Sequence, residues 1–426
     1  MKRFLVFLCL SLVISMVVFQ PVVARGRDLD RDARWHEDVG FLWQQIQAIH
    51  PDPFRVTSQQ SFAQRVSDLD AQIPNLSDEQ VVVRLFALVA SLRDGHSSIW
   101  FTENTYPFHY YPLMFYPFSD GLYLILAAPE YADLVGAKLL KIGMTDIAQV
   151  IETLHPLEPR DNDSSGLVTL PMLLSMSDAL LGTGLISTAD QPAYLLELPD
   201  GTQTTLNPAP VGQADYHAAV PISWRLPISD SLLSLSKADQ AFWWKSLDDQ
   251  TLYIQYNQVV SRDAQSGKTL AAFAHDLGDA LTTTPVKRVI LDLRYNGGGD
   301  INTARPLRSF FSGNDWFKTP GNLIVLTGRN TFSAATVFSL WLEHDMNPVF
   351  MGEPTGGRPL MFENAREITL PNSHLHGQIA TRARHDFPGS DTRQTIEPQV
   401  PVMLSSADYF NDVDPVLAVA LAYTAS

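Results

Sequence analysis

Ile290-Leu291-Asp292-Leu293-Arg294-Tyr295-Asn296-Gly297-Gly298-Gly299 opens as an apolar run and closes on three glycines. The run reads as a buried strand. The glycines let the chain turn sharply and aim bare backbone N–H groups at one point. A second run, Leu323-Ile324-Val325-Leu326-Thr327, leads to Thr331-Phe332-Ser333-Ala334-Ala335, where a helix-like stretch begins. A serine at a strand-to-helix turn can be presented as a nucleophile with the next N–H beside it. The competing reading of Ser333 is a simple helix N-cap. Taken with the glycine turn, it predicts an attacking hydroxyl beside an oxyanion hole, the two parts acyl transfer needs most.

Working outward, residues from 216 alternate between strand and helix. Thr251–Tyr256 and Arg288–Leu293 read as strands around a Leu270–Leu281 helix, and Ala334–His344 reads as a helix before a short Pro348–Met351 strand. That alternation predicts an α/β core over 216–426. Residues 106–215 read as a β-rich module, with strands such as Gly121–Leu126 and Tyr194–Leu198. Residues 25–105 read as helical. There Trp35, Val39, Leu42, Trp43, Ile46 and Ile49 recur at spacings of three and four, and Ser77-Asp78-Glu79-Gln80 forms an N-terminal cap.

Met1–Ala24 has the layout of a secretory signal: Lys2 and Arg3, then an apolar stretch from Phe4 to Phe19, then Val22-Val23-Ala24. The destination expected is periplasmic or extracellular. The single cysteine, Cys9, lies in this segment, so the mature chain would have neither disulfides nor thiol chemistry. Loss of the two cations takes the formal charge from −16 to −18. So acidic a chain argues against nucleic acid or an anionic membrane as partner. With 45% apolar residues in 426, a large core is available.

Six stretches, in order, resemble the S41 serine peptidases, the C-terminal processing and tricorn-like enzymes. They are Asp94-Gly95-His96-Ser97, Asp292 to Gly299, Thr331 to Ala335, Gly352-Glu353-Pro354-Thr355-Gly356-Gly357-Arg358-Pro359, Ile396 to Val402, and Asp414-Pro415-Val416-Leu417. The resemblance implies a ClpP/crotonase-like core and a peptide or unfolded-protein substrate, with no cofactor. It implies Ser333 as nucleophile and the amides of Gly298 and Ala334 as oxyanion donors.

Many relatives use a lysine base about 25 residues after the serine, where this chain has Arg358. A guanidinium has no lone pair to offer. Histidine suits the task, and of eleven histidines only His96 lies in a family motif. An acid should orient it. Asp391, 58 residues after Ser333, fits the tricorn-like spacing, with Glu397 as the alternative. Ser97 follows the histidine where tricorn-like sites have a serine before it, and Asp292 with Arg294 reads as a structural pair.

Three further readings are secondary. His374 and His376 would share one face of a strand, a conceivable metal pair. Leu139–Leu154 has some resemblance to a peptide-binding PDZ module but lacks its glycine-rich carboxylate loop. The aromatic run Tyr106-Pro107-Phe108-His109-Tyr110-Tyr111 could line an apolar pocket, which would make the chain a non-proteolytic binding protein.

Overall fold

A six-stranded sheet forms the centre of the computed structural model, which describes residues 30–99, 106–221, 225–283, 286–384 and 391–424. Residues 1–24, including Cys9, lie outside the described residues. The strands run in the order Phe242–Ser246, Thr251–Tyr256, Arg288–Asp292, Leu323–Thr327, Val349–Gly352 and Val400–Pro401. The first pairing is antiparallel and the rest are parallel. Parallel strands need apolar cover on both faces. Period-2 alternation supplies it. Leu252, Ile254, Val289, Leu291, Leu323 and Val325 face one apolar cluster, which includes Phe273, Leu307 and Phe338 from three helices. Tyr253, Ile290, Ile324 and Leu326 face the other, with Val416 and Leu417 of helix Pro415–Ala422.

Three N-terminal helices, Arg31–Ile49, Gln59–Gln72 and Asp78–Ala90, form where the apolar periodicity places them. Ser77 and Gln80 make the reciprocal capping box that stops fraying at the third. The middle region holds a five-stranded antiparallel path, Leu113–Phe118, Gly121–Ala127, Lys138–Ile142, Tyr194–Glu197 and Gln203–Leu206. It also contains helices at Asp163–Ser175 and Ser177–Gly182 that a β-rich reading does not foresee. Pro171 and Gly166 hide the first, yet an Asn162–Ser165 capping box starts it. The chain is thus an α/β core with a β-rich module and a helical N-terminal region. The last two share one apolar core.

The segment 362–383 departs from the simple core assigned to 216–426. Its hairpin, Phe362–Thr369 with His376–Ala383, adds Ser98–Ile99 as a third strand. Ile368, Leu370, Leu375 and Ile379 pack with the N-terminal helices. Buried Asp38 accepts the N–H groups of Asn372 at 2.9 Å and Ser373 at 2.8 Å, which fixes the hairpin turn to the first helix. His374 sits in that turn at φ 58°, off the strand that begins at His376, so the two do not share a strand face. Among the described residues, no group of three or more His, Cys, Asp or Glu could hold a metal ion.

Candidate active site

Ser333 stands between strand Leu323–Thr327 and helix Ala334–Asp345 with φ 52° and ψ −124°. A non-glycine residue there costs roughly 1–3 kcal/mol and persists only where the surroundings over-determine it. They do so here. Thr331 Oγ1 donates to Leu293 O at 2.8 Å and accepts from Gly328 N at 3.0 Å. The Phe332 N–H reaches Asn296 O at 3.0 Å, while Thr331 O accepts from Gly356 N at 3.0 Å and Gly357 N at 3.2 Å. The turn is therefore bonded both to the glycine-ended strand and to the segment that follows Val349–Gly352. Ser333 makes no side-chain cap bond, which separates it from an ordinary N-cap serine.

Its hydroxyl meets a histidine instead. His96 Nε2 lies 2.9 Å from Ser333 Oγ, across 237 positions of sequence. The imidazole stacks on Phe332, centroids 4.8 Å apart at 25°. Gly95 makes that stacking possible, because a Cβ there would come within 2.7 Å of the Phe332 ring. The histidine loop is pinned through side chains. The His96 N–H donates to Asp94 Oδ1 at 2.9 Å, and the Gly95 N–H to Asp161 Oδ1 at 2.9 Å. Ser97 Oγ donates to Asp94 Oδ2 at 2.5 Å and accepts from Ala380 N at 2.9 Å. Ser97 thus secures Asp94 and the hairpin.

Asp94 and Asp161 are both fully buried. Burial alone would raise Asp94, but His50, the charge of His96 and the bonds from Ser97 and the His96 N–H overcome it. Its carboxyl is held below the usual range. Asp161 goes the other way, raised by burial and by repulsion from Asp94.

The two expected oxyanion donors differ. Ala334 N–H is the first of its helix, one of the donors that a helix leaves unpaired. Gly298 lies beside it at φ 103°, so close that a Cβ would sit 2.8 Å from Ser333 Cβ and 2.9 Å from Ala334 N. Its own N–H, however, donates to Asn296 Oδ1 at 2.9 Å. That corrects the expectation for this state: the Asn296 side chain, two residues upstream, already holds the Gly298 donor.

Asp391 is engaged by an arginine. Its carboxylate binds Arg393, with Nη2 at 2.7 Å and Nε at 3.1 Å, and Arg393 continues to Glu343. An arginine two residues away captures both oxygens, and these bonds depress the Asp391 carboxyl. Glu397, the alternative, is exposed. Arg358 is buried and turns to Asp161, whose backbone oxygen its guanidinium binds. Asp292 and Arg294 pair at 2.7 Å, and Arg294 also binds Asp414 at 2.8 Å, joining two motifs that sequence showed only as separate stretches. The aromatic residues of the run at 106–111 are largely buried. Phe108, Tyr110 and Tyr111 are core residues, with Tyr110 stacked on Tyr216 and Tyr111 edge-on to Tyr194.

Sequence reasoning missed His50, Asp161 and Asn296. The first two sit outside every motif, and only the fold brings them under the histidine loop. Asn296 had a signal, since an asparagine two residues before a glycine N–H can bond that donor.

No protein-family model matches the chain, and no curated protein sequence does. Among solved structures, mature CPAF is similar over 93% of this chain and 99% of its own, with TM-score 0.61 and 12% identity. Mature CPAF complexed with lactacystin is similar over 92% and 99%, with TM-score 0.63 and 12% identity. A photosystem II D1 C-terminal processing protease matches with TM-score 0.39 at 14% identity, over 86% of this chain and 93% of its own. The chain has the fold of CPAF.

Proposed function

We propose that the chain is a serine peptidase in which Ser333 attacks a peptide carbonyl and His96 is the base. The observation that carries this is the 2.9 Å approach of His96 Nε2 to Ser333 Oγ at a strained strand-to-helix turn. As Oγ bonds to the carbonyl carbon, its proton passes to His96 Nε2 and the oxygen takes negative charge beside the Ala334 N–H. Collapse breaks the C–N bond, and the amine leaves with the proton from His96. Water, deprotonated by the same imidazole, then releases the acyl group from Ser333.

A cleft of about 420 Å³ bounded by Gly297, Gly298, Gly299, Tyr295, Asn257 and Gln258 opens beside the glycine turn and has room for a substrate side chain. We place the activity outside the cytoplasm on the Lys2-Arg3 and Phe4–Phe19 pattern. No helix among the described residues is long and apolar enough to cross a membrane.

The test is hydrolysis of an unfolded protein by the purified chain. Ser333→Ala should lower kcat by about 10,000-fold or more while the melting temperature holds. Undiminished cleavage by the folded variant would overturn the assignment.

A further inference from the structure

We propose that Asp94 is the residue that positions His96, by accepting the proton-bearing Nδ1 of its ring; this rests on the serine–histidine reading above. The geometry starts from the base. To take the serine proton, Nε2 must be bare, so the neutral ring carries its proton on Nδ1. His96 Nδ1 is buried and has no hydrogen-bond partner among the described residues. A buried donor left unmatched calls for an explanation. The nearby carboxylate is Asp94, whose Oδ1 lies 3.9 Å from Nδ1. That is longer than a hydrogen bond, but such contacts in unliganded sites are commonly long and tighten when substrate binds.

Asp94 is built to stay put. Oδ2 takes the Ser97 hydroxyl at 2.5 Å and lies 3.3 Å from His50 Nε2. Asp52 N donates to His50 Nδ1 at 3.2 Å, which leaves the neutral His50 ring its proton on Nε2, the nitrogen near Asp94. Among the described residues Oδ1 takes only the His96 backbone N–H, leaving a lone pair for the ring nitrogen. Both oxygens of Asp391, by contrast, are bound to Arg393. Asp161 is the other buried acid nearby, and its oxygens serve Gly95 N at 2.9 Å and Arg358 N at 3.3 Å.

Several charged groups surround this pair: His50 from the first helix, Arg55 and Arg93 from the flanking loops, Asp161, and Arg358 from the segment after Val349–Gly352. Ser333 and Phe332 face the ring from the core. The pH profile must therefore be read across variants.

Asp94→Asn keeps the shape and loses the charge. A lost neighbouring anion disfavours the imidazolium, so the acid limb of kcat/KM should move down by about one pH unit. kcat should fall roughly 100-fold or more with little change in KM, as when the acid of a Ser-His-Asp site is neutralised. Ser97→Ala loosens the same loop but leaves the charge, and should not move the limb. Asp161→Asn should move it less than Asp94→Asn does.

An unmoved limb in folded Asp94→Asn would overturn the proposal, as would an equal or larger shift from Asp161→Asn or Asp391→Ala. Should Asp94→Asn fail to fold, proton NMR of the wild-type His96 ring with an inhibitor bound to Ser333 reads the contact itself: a far-downfield Nδ1–H resonance is expected from a charge-assisted bond to a carboxylate, and an ordinary imidazole N–H resonance contradicts it. Loss of activity in Ser333→Ala is checked first, so failure of the serine reading and failure of the Asp94 proposal stay distinct.

Discussion

Ser333 is held mostly by main chain and His96 mostly by charged side chains. Around the serine, a parallel sheet, three glycines and main-chain bonds from Gly356, Gly357 and Phe332 fix a strained backbone. Around the histidine, the positioning groups are buried carboxylates, Asp94 and Asp161, supported by Ser97 and a strand from a distant hairpin. The first arrangement rests mostly on backbone geometry, with the neutral side chains of Thr331 and Asn296 bonded into the turn. The second depends on which charges are present, so it should respond to pH and to isosteric substitution.

Of the substitutions that leave Ser333, His96 and Asp94 in place, the largest expected effect is on the backbone side. Gly298→Ala would set a Cβ within 3.0 Å of Ser333, Ala334 and Phe332 atoms at a φ of 103°. The oxyanion side of the turn would have to shift, and kcat should drop about 100-fold or more. Steady-state kinetics on the folded variant check this, and an active Gly298→Ala would show that the turn is not as tight as the serine requires.

Acid should act on the other side first. Asp94 is held below its ordinary value despite burial. Such a carboxyl adds stability above its unfolded pKa, near 4, and that stability is lost as pH falls through the folded value. Asp161, raised by burial, has the opposite sign and gains nothing from ionising. Amide protection at Gly95–Ser97 should thus fall below about pH 4 while protection at Phe332 and Ala335 persists. Equal loss at both would break the contrast.

A smaller effect isolates the strain itself. Ser333→Gly should be more stable than Ser333→Ala by about 1 kcal/mol, because glycine adopts this backbone without penalty. Denaturant unfolding of the two inactive variants measures it, and equal stability would mean the turn stores no strain. Smallest of all is Asp391→Ala. Its carboxylate serves Arg393 on an exposed loop, so kcat should stay within about twofold of wild type.

This asymmetry also explains what could be read in advance. Glycines and apolar runs report backbone needs locally, so the strands at 251–256, 288–292 and 323–327, the helix after Ser333, and the turn itself were legible. His96 was reached by elimination of Arg358 and by its motif. Spacing points to Asp391 as the third member, although Arg393 two residues on offers it the same pairing that Arg294 gives Asp292. The hairpin 362–383 was hidden because its anchoring contact is remote in sequence: Asp38 and Asn372 meet across 334 positions. Helix Asp163–Ser175 was masked by its proline and glycine, although Asn162 and Ser165 marked its start.

The most direct measurement is the rate and site of labelling by a fluorophosphonate, read by mass spectrometry on intact and digested protein. The account predicts one adduct, on Ser333, and a labelling rate that falls by about 100-fold or more in folded His96→Ala. An adduct on another residue, or an unchanged rate without His96, would contradict it.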